Sequence, residues 1–228
     1  MLPIYGITPF SMIDYPQKIS SIIWFSGCNF KCSYCYNTEL VKEKIKRLPS
    51  TKVFEFLKDR QGLIDAVVIS GGECTLYNIY DFVKKIKELN FNVKIDTNGS
   101  NPQLIKKLID DNLIDYIALD YKAPSYKFNE VIQTGINFDL FKETLNLLIH
   151  SNINYETRTT LCPNLVQEKE VSNIVDELNN VFHYSKTYYI QNYRFEHLEK
   201  DYNIGLKNKI QEQITGKNLG FQVEYRNF

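Results

Sequence analysis

Strand-like runs alternate with amphipathic helical stretches along most of the chain, and this alternation limits its possible folds more than any other feature. Apolar, β-branched and aromatic residues concentrate at Ile19–Phe25, Ala66–Ser70, Asn92–Asp96, Tyr116–Asp120, Tyr155–Leu161 and Thr187–Asn192. Polar or glycine-containing loops follow several of these runs. Between them the apolar spacing becomes helical. Ile79, Phe82, Val83, Ile86 and Leu89 share one helical face, as do Leu104, Ile105, Leu108 and Ile109, and later Val171, Ile174, Val175, Leu178 and Val181. Thr51–Arg60, Phe138–Ile149 and Gly205–Ile214 also read as helices, and Pro102 suits a first helical turn. About six strand–helix repeats predict an α/β fold with parallel strands and right-handed crossovers. An open doubly wound sheet and a partial barrel both satisfy the pattern. The tail after Gly220 is expected to add an edge strand.

Composition excludes several classes. Hydrophobic residues make up 43% and charged residues 24%, which rules out a disordered or fibrous chain. Lys+Arg and Asp+Glu both number 27, so a generally basic nucleic-acid binder is disfavoured. No run reaches the roughly 18 apolar residues of a membrane span. The opening MLPIYGITPFSMIDYP lacks the features of a secretion signal. A soluble, cytoplasmic protein is expected, without nucleic-acid or membrane partners. No linker or charge block divides residues 1–228, which read as a single domain.

The five cysteines narrow the field. Their odd number, without a secretion signal, argues against a disulfide framework. Cys28, Cys32 and Cys35 crowd into GCNFKCSYCYN, directly after the first predicted strand. Clustered thiolates host zinc or iron–sulfur centres. Three thiolates can hold three irons of a [4Fe–4S] cube and leave the fourth iron open to a small molecule. A structural zinc site wants four ligands, and here the fourth would have to be distant, because no histidine precedes His150. Cys74 and Cys162 read as small buried residues. His150, His183 and His197 show no ligand spacing and read as surface or packing residues.

CNFKCSYC matches the C-x3-C-x-aromatic-C signature of the radical S-adenosylmethionine (SAM) enzymes, with Tyr34 as the aromatic residue. The resemblance implies a full or partial β/α barrel, here a partial (β/α)6 barrel, with a [4Fe–4S] cluster and SAM as cofactors. It further implies one-electron cleavage of the sulfonium bond and hydrogen abstraction by a 5′-deoxyadenosyl radical.

Other motifs sit at successive strand ends, where ligands gather in parallel α/β folds. Ser70-Gly71-Gly72-Glu73 resembles the family's Gly-Gly-Glu motif, which holds the SAM amino group; the glycines allow close backbone approach. Where the family usually has proline, this chain has Cys74. Asp96-Thr97-Asn98-Gly99 reads as a turn, or as a site where Thr97 and Asn98 bind the SAM ribose or carboxylate. Asp120-Tyr121-Lys122 resembles the D-x-K element of glycyl-radical-enzyme activases, in which Asp120 would bind ribose or substrate backbone and Lys122 a carboxylate; the plain reading is a solvated charge pair. Arg158, inside a strand, needs an anionic partner, either a bound carboxylate or a salt bridge. Gln191 and Asn192 are weaker candidates for the lumen wall.

The opening segment through YCYN is most similar to the anaerobic ribonucleoside-triphosphate reductase activating proteins, relatives of pyruvate formate-lyase activating enzyme. Gln17 replaces the glycine of their DYPGK segment. An incomplete barrel has a lateral gap, which an inserted loop of a macromolecule would seal. The implied partner is a glycyl radical enzyme, the anaerobic ribonucleotide reductase large subunit. Without a further cysteine cluster, electrons would come from an external flavodoxin or ferredoxin. Two alternatives stand beside this reading: a radical SAM enzyme acting on a small heterocycle or peptide, as deazaguanine synthases do, and a non-catalytic metal-binding module.

Overall fold

The computed structural model describes residues 2–41, 47–193 and 200–228; His197 lies outside them. One sheet contains eight strands: β1 Ile4–Ser11, β2 Ser20–Phe25, β3 Ala66–Gly71, β4 Asn92–Thr97, β5 Tyr116–Asp120, β6 Asn154–Thr160, β7 Tyr188–Gln191 and β8 Val223–Arg226. The strands lie side by side in chain order. β1 is antiparallel to β2, and every later pair is parallel. The helices are α1 Thr38–Val41, α2 Ser50–Lys58, α3 Tyr80–Glu88, α4 Pro102–Asp110, α5 Phe128–Ile132, α6 Phe138–Ile149, α7 Glu168–Asp176 and α8 Lys200–Ile214.

Strand order decides between the two sheets that the sequence allows. A doubly wound sheet reverses its winding to place helices on both faces. Right-handed crossovers that always step the same way place the helices on one face, and the other face curls around a lumen. β1 and β8 are the two ends of the sheet, so the partial barrel is open between them. Strands β2–β7 are its parallel core, and β8 is the edge strand expected after Gly220.

The two faces bury different residues. Ile23, Phe25, Val67, Ile69, Val93, Ile95, Ile117 and Leu119 belong to the large core shared with the helices. Alternate positions, Ile22, Ala66 and Val68, form a smaller cluster with Tyr15, against which Trp24 and Tyr116 pack. This is the period-two alternation of a strand. On β6 and β8, Glu156 and Arg226 form a bidentate pair with both contacts at 2.9 Å, and Arg226 lies over the Tyr189 ring at 3.4 Å. That contact reaches across β7 and fixes the last strand.

Local signals explain most boundaries. Asn101 caps α4 by accepting from the Leu104 amide at 3.2 Å, and Pro102 follows as the first helical residue. The short helices α1 and α5, the strand β1 and the end of α7 differ from the sequence expectation. β1 is an additional strand, whose pattern Gly6 and Pro9 interrupt; Pro9 is tolerated because β1 lies at the sheet edge. Val181 is 64% exposed instead of buried with Leu178. α7 runs into a π-helical turn, Glu177–Val181, where the Phe182 amide donates to the Glu177 carbonyl at 3.1 Å. The extra residue rotates the downstream backbone by about 100° and carries Val181 off the buried stripe.

Candidate functional site

The carboxyl ends of the parallel strands surround a cavity of about 300 Å³. Cys28, Cys32, Tyr34 and Cys35 line it from the loop after β2. Ser70, Gly71, Gly72 and Glu73 line it from the end of β3, and Thr97 and Asn98 from the end of β4. Asp120 and Lys122 come from β5 and its loop, and Arg158 from β6. Gln191 and Asn192 complete the wall at β7. The loop cysteines and the strand-end motif residues named from the sequence as cluster or SAM ligands thus all line one cavity.

The cysteine loop is held on several sides. The Lys31 amide donates to the Ile132 carbonyl at 2.8 Å, and the Phe30 ring packs edge-on against Phe128. Tyr34 is buried, and its hydroxyl donates to the Lys122 carbonyl at 3.4 Å. Asn37 donates to the Gly71 carbonyl at 3.2 Å, and Asn29 accepts from Asn98 at 2.9 Å. Burial pushes the Cys28 thiol up to about 12 and raises that of Cys32, while the Lys122 charge draws both down. Thiols in this setting need a cationic group to ionise. Among the described residues, no three His, Cys, Asp or Glu side chains are grouped as ligands of one metal ion. Cys28, Cys32 and Cys35, three thiol donors along one cavity wall, are the residues that would hold an iron–sulfur cluster here.

The Ser-Gly-Gly-Glu segment does internal work. Gly71 has φ +125°, and a Cβ there would fall 2.2 Å from the Phe25 carbonyl oxygen; at Gly72 it would fall 2.0 Å from that of Gly27. The two glycines therefore let β3 run close to the start of the cysteine loop. Glu73 is buried and accepts four hydrogen bonds: from the Thr75 amide (3.0 Å), the Thr75 hydroxyl (2.6 Å), the Thr97 hydroxyl (2.8 Å) and the Asn98 amide (2.6 Å). Burial raises its pKa, and these donors pull it back. Thr97 and Asn98, expected to contact SAM, also bind Glu73 and Asn29.

A ladder of charges crosses the cavity floor. Ser70 donates to Asp96 at 3.0 Å. Asp96 also binds Lys94 at 2.7 Å and Arg158 at 3.3 Å. Arg158 Nε binds Asp120, which binds Lys122 at 2.9 Å. Ala118 pairs with Asp96 on one side and Glu156 on the other; its methyl leaves room for Arg158 to reach past β5. Burial opposes the charge on Asp96, but Arg158 and Lys94 hold its pKa below the usual range. Asp120 is lowered likewise by Arg158 and Lys122, and Lys122 is raised by Asp120. Asp96 was not singled out from the sequence as a site residue. Its signal was the alternation of NVKIDT, in which Lys94 and Asp96 share the parity opposite to that of Val93 and Ile95.

The remaining candidates lie elsewhere. Cys74 is buried, with its thiol 3.7 Å from the Asp96 carbonyl. Cys162 packs with Tyr34, Ala123, Val131 and Val166, with Cys32 at the cluster's edge. His150 pairs with the Asn146 carbonyl at 2.7 Å, and His183 is exposed. No helix among the described residues is long and apolar enough to cross a membrane.

Comparison with known proteins agrees with this geometry. Residues 22–178 match the family model of the radical SAM superfamily. The chain is 36% identical over 178 residues to a candidate glycyl-radical enzyme activating enzyme of Methanocaldococcus jannaschii, covering 74% of this chain and 72% of that protein. It is 27% identical over 194 residues to the pyruvate formate-lyase-activating enzyme of Clostridium pasteurianum, covering 78% of each. In structure it is similar to Streptococcus suis SuiB bound to precursor peptide SuiA, with a TM-score of 0.67 and 17% identity. That match covers 89% of this chain and 48% of SuiB, so the chain spans about half of SuiB's length. The matched segment holds the cysteine loop and the wall of the cavity from β3 to β6, and on that evidence the chain belongs to the radical SAM superfamily.

Proposed function

We propose that this chain carries a [4Fe–4S] cluster on Cys28, Cys32 and Cys35, binds SAM beside it, and generates a glycyl radical on a partner enzyme, the large subunit of anaerobic ribonucleotide reductase. The observation that carries this reading is the convergence of three thiols, the β3 and β4 turns, and the Asp120–Lys122–Arg158 charges on one cavity of an open barrel. When bound, the reduced cluster would supply the single electron that cleaves SAM.

The chain's own residues bind and orient. Gly71 and Gly72 bring backbone to the cavity wall beside the cysteine loop. Glu73, Thr97 and Asn98 hold the β3 and β4 turns in register. Lys122 and Arg158 are the cations available to a SAM carboxylate, and Asp120 is the anion between them. Asp120 favours the charged forms of both against the burial that opposes them. Tyr34 backs the cysteine loop and ties it to Lys122.

The gap between β1 and β8 suits a protein loop as substrate, since an inserted backbone both presents the reacting glycine and excludes water. An external flavodoxin or ferredoxin would deliver the electron, in the reducing cytoplasm. The test is an electron paramagnetic resonance spectrum of the reconstituted, reduced protein with SAM and the reductase large subunit from the same source. A glycyl doublet, absent with Cys32→Ala, is expected. Formation of 5′-deoxyadenosine without a doublet would reject this partner and turn the search to other glycyl radical enzymes, heterocycles or peptides.

A further inference from the structure

The loop between β5 and α5 carries Lys122 into the cavity, and helix α7 grips that loop from outside. Glu177 opens the π-helical turn after α7. Its Oε1 accepts from the Ser125 amide at 3.0 Å and the Ser125 hydroxyl at 2.6 Å, and its Oε2 accepts from the Tyr121 hydroxyl. Tyr121 and Ser125 bracket Lys122 in the chain. Glu170, two helical turns earlier, binds Lys127 at 3.2 Å and Tyr126 at 3.4 Å, just beyond Ser125. On the lumen side, Lys122 meets Asp120 at 2.9 Å and offers its carbonyl to Tyr34 at 3.4 Å. The π turn exposes Val181, burial that a continued α-helix would have kept. What the turn accompanies is the placement of Glu177 against the loop.

We infer that Glu177 is a positioning residue for the site: its carboxylate fixes the Tyr121–Ser125 loop and so sets where Lys122 stands in the cavity. The inference rests on the reading of that cavity as a SAM site. A lysine side chain has many rotamers, and a loop tip held only by its own strand would let the ammonium wander. Outer residues that orient an inner ligand carry a large share of its affinity. Two carboxylates seven residues apart on one helix face give the loop two anchors.

Two readouts test this, one of which needs no cofactor. In the unloaded protein, the rate of acylation of each lysine is followed by mass spectrometry. Lys122 should label about tenfold faster in Glu177→Ala, with Glu177→Gln between the two because its amide keeps one acceptor oxygen. Exposed Lys52 and Lys106 should not change. In the cluster-loaded protein, the Kd for SAM should rise about 10- to 100-fold in Glu177→Ala. Val53→Ala, a buried change on α2 outside the cavity wall, is the control for general destabilisation. Should Glu177→Ala not fold, Tyr121→Phe removes one hydroxyl of the same clamp and should accelerate Lys122 labelling in the same direction. Unchanged Lys122 labelling, or an equal increase in Val53→Ala, would overturn the inference while SAM binding by the unmodified protein stands. An unmodified, cluster-loaded protein that binds no SAM would overturn both the inference and the reading beneath it.

Discussion

The Glu73 carboxylate accepts the Asn98 amide at 2.6 Å and thereby joins the end of β3 to the loop after β4. With the Thr97 hydroxyl and both Thr75 donors, it holds two walls of the cavity in a single buried contact. Glu73→Gln sets an amide nitrogen against a donor, so one of the four bonds becomes a clash of donors. The variant should lose about 1–3 kcal/mol in urea unfolding. An unchanged midpoint would show that the carboxylate is not what holds the turns.

Arg158 is the shared cation of Asp96 and Asp120. Arg158→Ala leaves Asp96 with Lys94 and Asp120 with Lys122 but removes the cation they share, and should cost about 1.5–3 kcal/mol at neutral pH. The sign of the pH effect follows from the lowered carboxylates. In the unmodified protein their contribution is present above the ordinary aspartate value of about 3.9 and is lost as pH falls below it. Without the guanidinium, burial raises both groups, and protonation then relieves the variant. The stability gap should narrow between about pH 7 and pH 4; a constant gap would contradict this account.

Gln17 has φ +60°, the left-handed region that favours glycine. Gln17→Gly relieves about 1 kcal/mol of backbone strain, partly offset by the freer unfolded chain. The urea midpoint should rise slightly with an unchanged slope. A lower midpoint would mean that the glutamine side chain stabilises the turn by more than its strain.

Cys74 is 1% exposed, and burial holds its thiol well above the usual range. In the folded, cluster-free protein it should react with an alkylating reagent more slowly than the partly exposed loop cysteines. Cys74→Ala should retain the iron content of the unmodified protein. Loss of iron would give Cys74 a role that its position does not provide.

Much of this architecture was legible in the sequence because β-branched and aromatic residues concentrate in the parallel strands and the helices between them are amphipathic. Tyr116–Asp120 and Phe138–Ile149 occupy the ranges their patterns predict. β1 was not legible, since Gly6 and Pro9 break its alternation, and only its edge position makes that tolerable. Val181 was misplaced because a helical wheel assumes a constant turn, and the π turn is a tertiary event.

The site was legible at its motifs and less so in its wiring. Each motif sits at a strand end, which is a consequence of chain order. The partners within it come from strand register: Arg158 reaches Asp96 across β5, where Ala118 leaves space. No linear pattern encodes that contact. The same holds for Glu73, whose donors come from two different loops.

Reductive cleavage of SAM by the anaerobically reconstituted, reduced protein measures most directly what this cavity does. Methionine and 5′-deoxyadenosine should form in equal amounts, and Cys32→Ala should form neither. Equal product from Cys32→Ala, or none from a protein shown to carry its cluster, would contradict the assignment of Cys28, Cys32 and Cys35 as the seat of the chemistry.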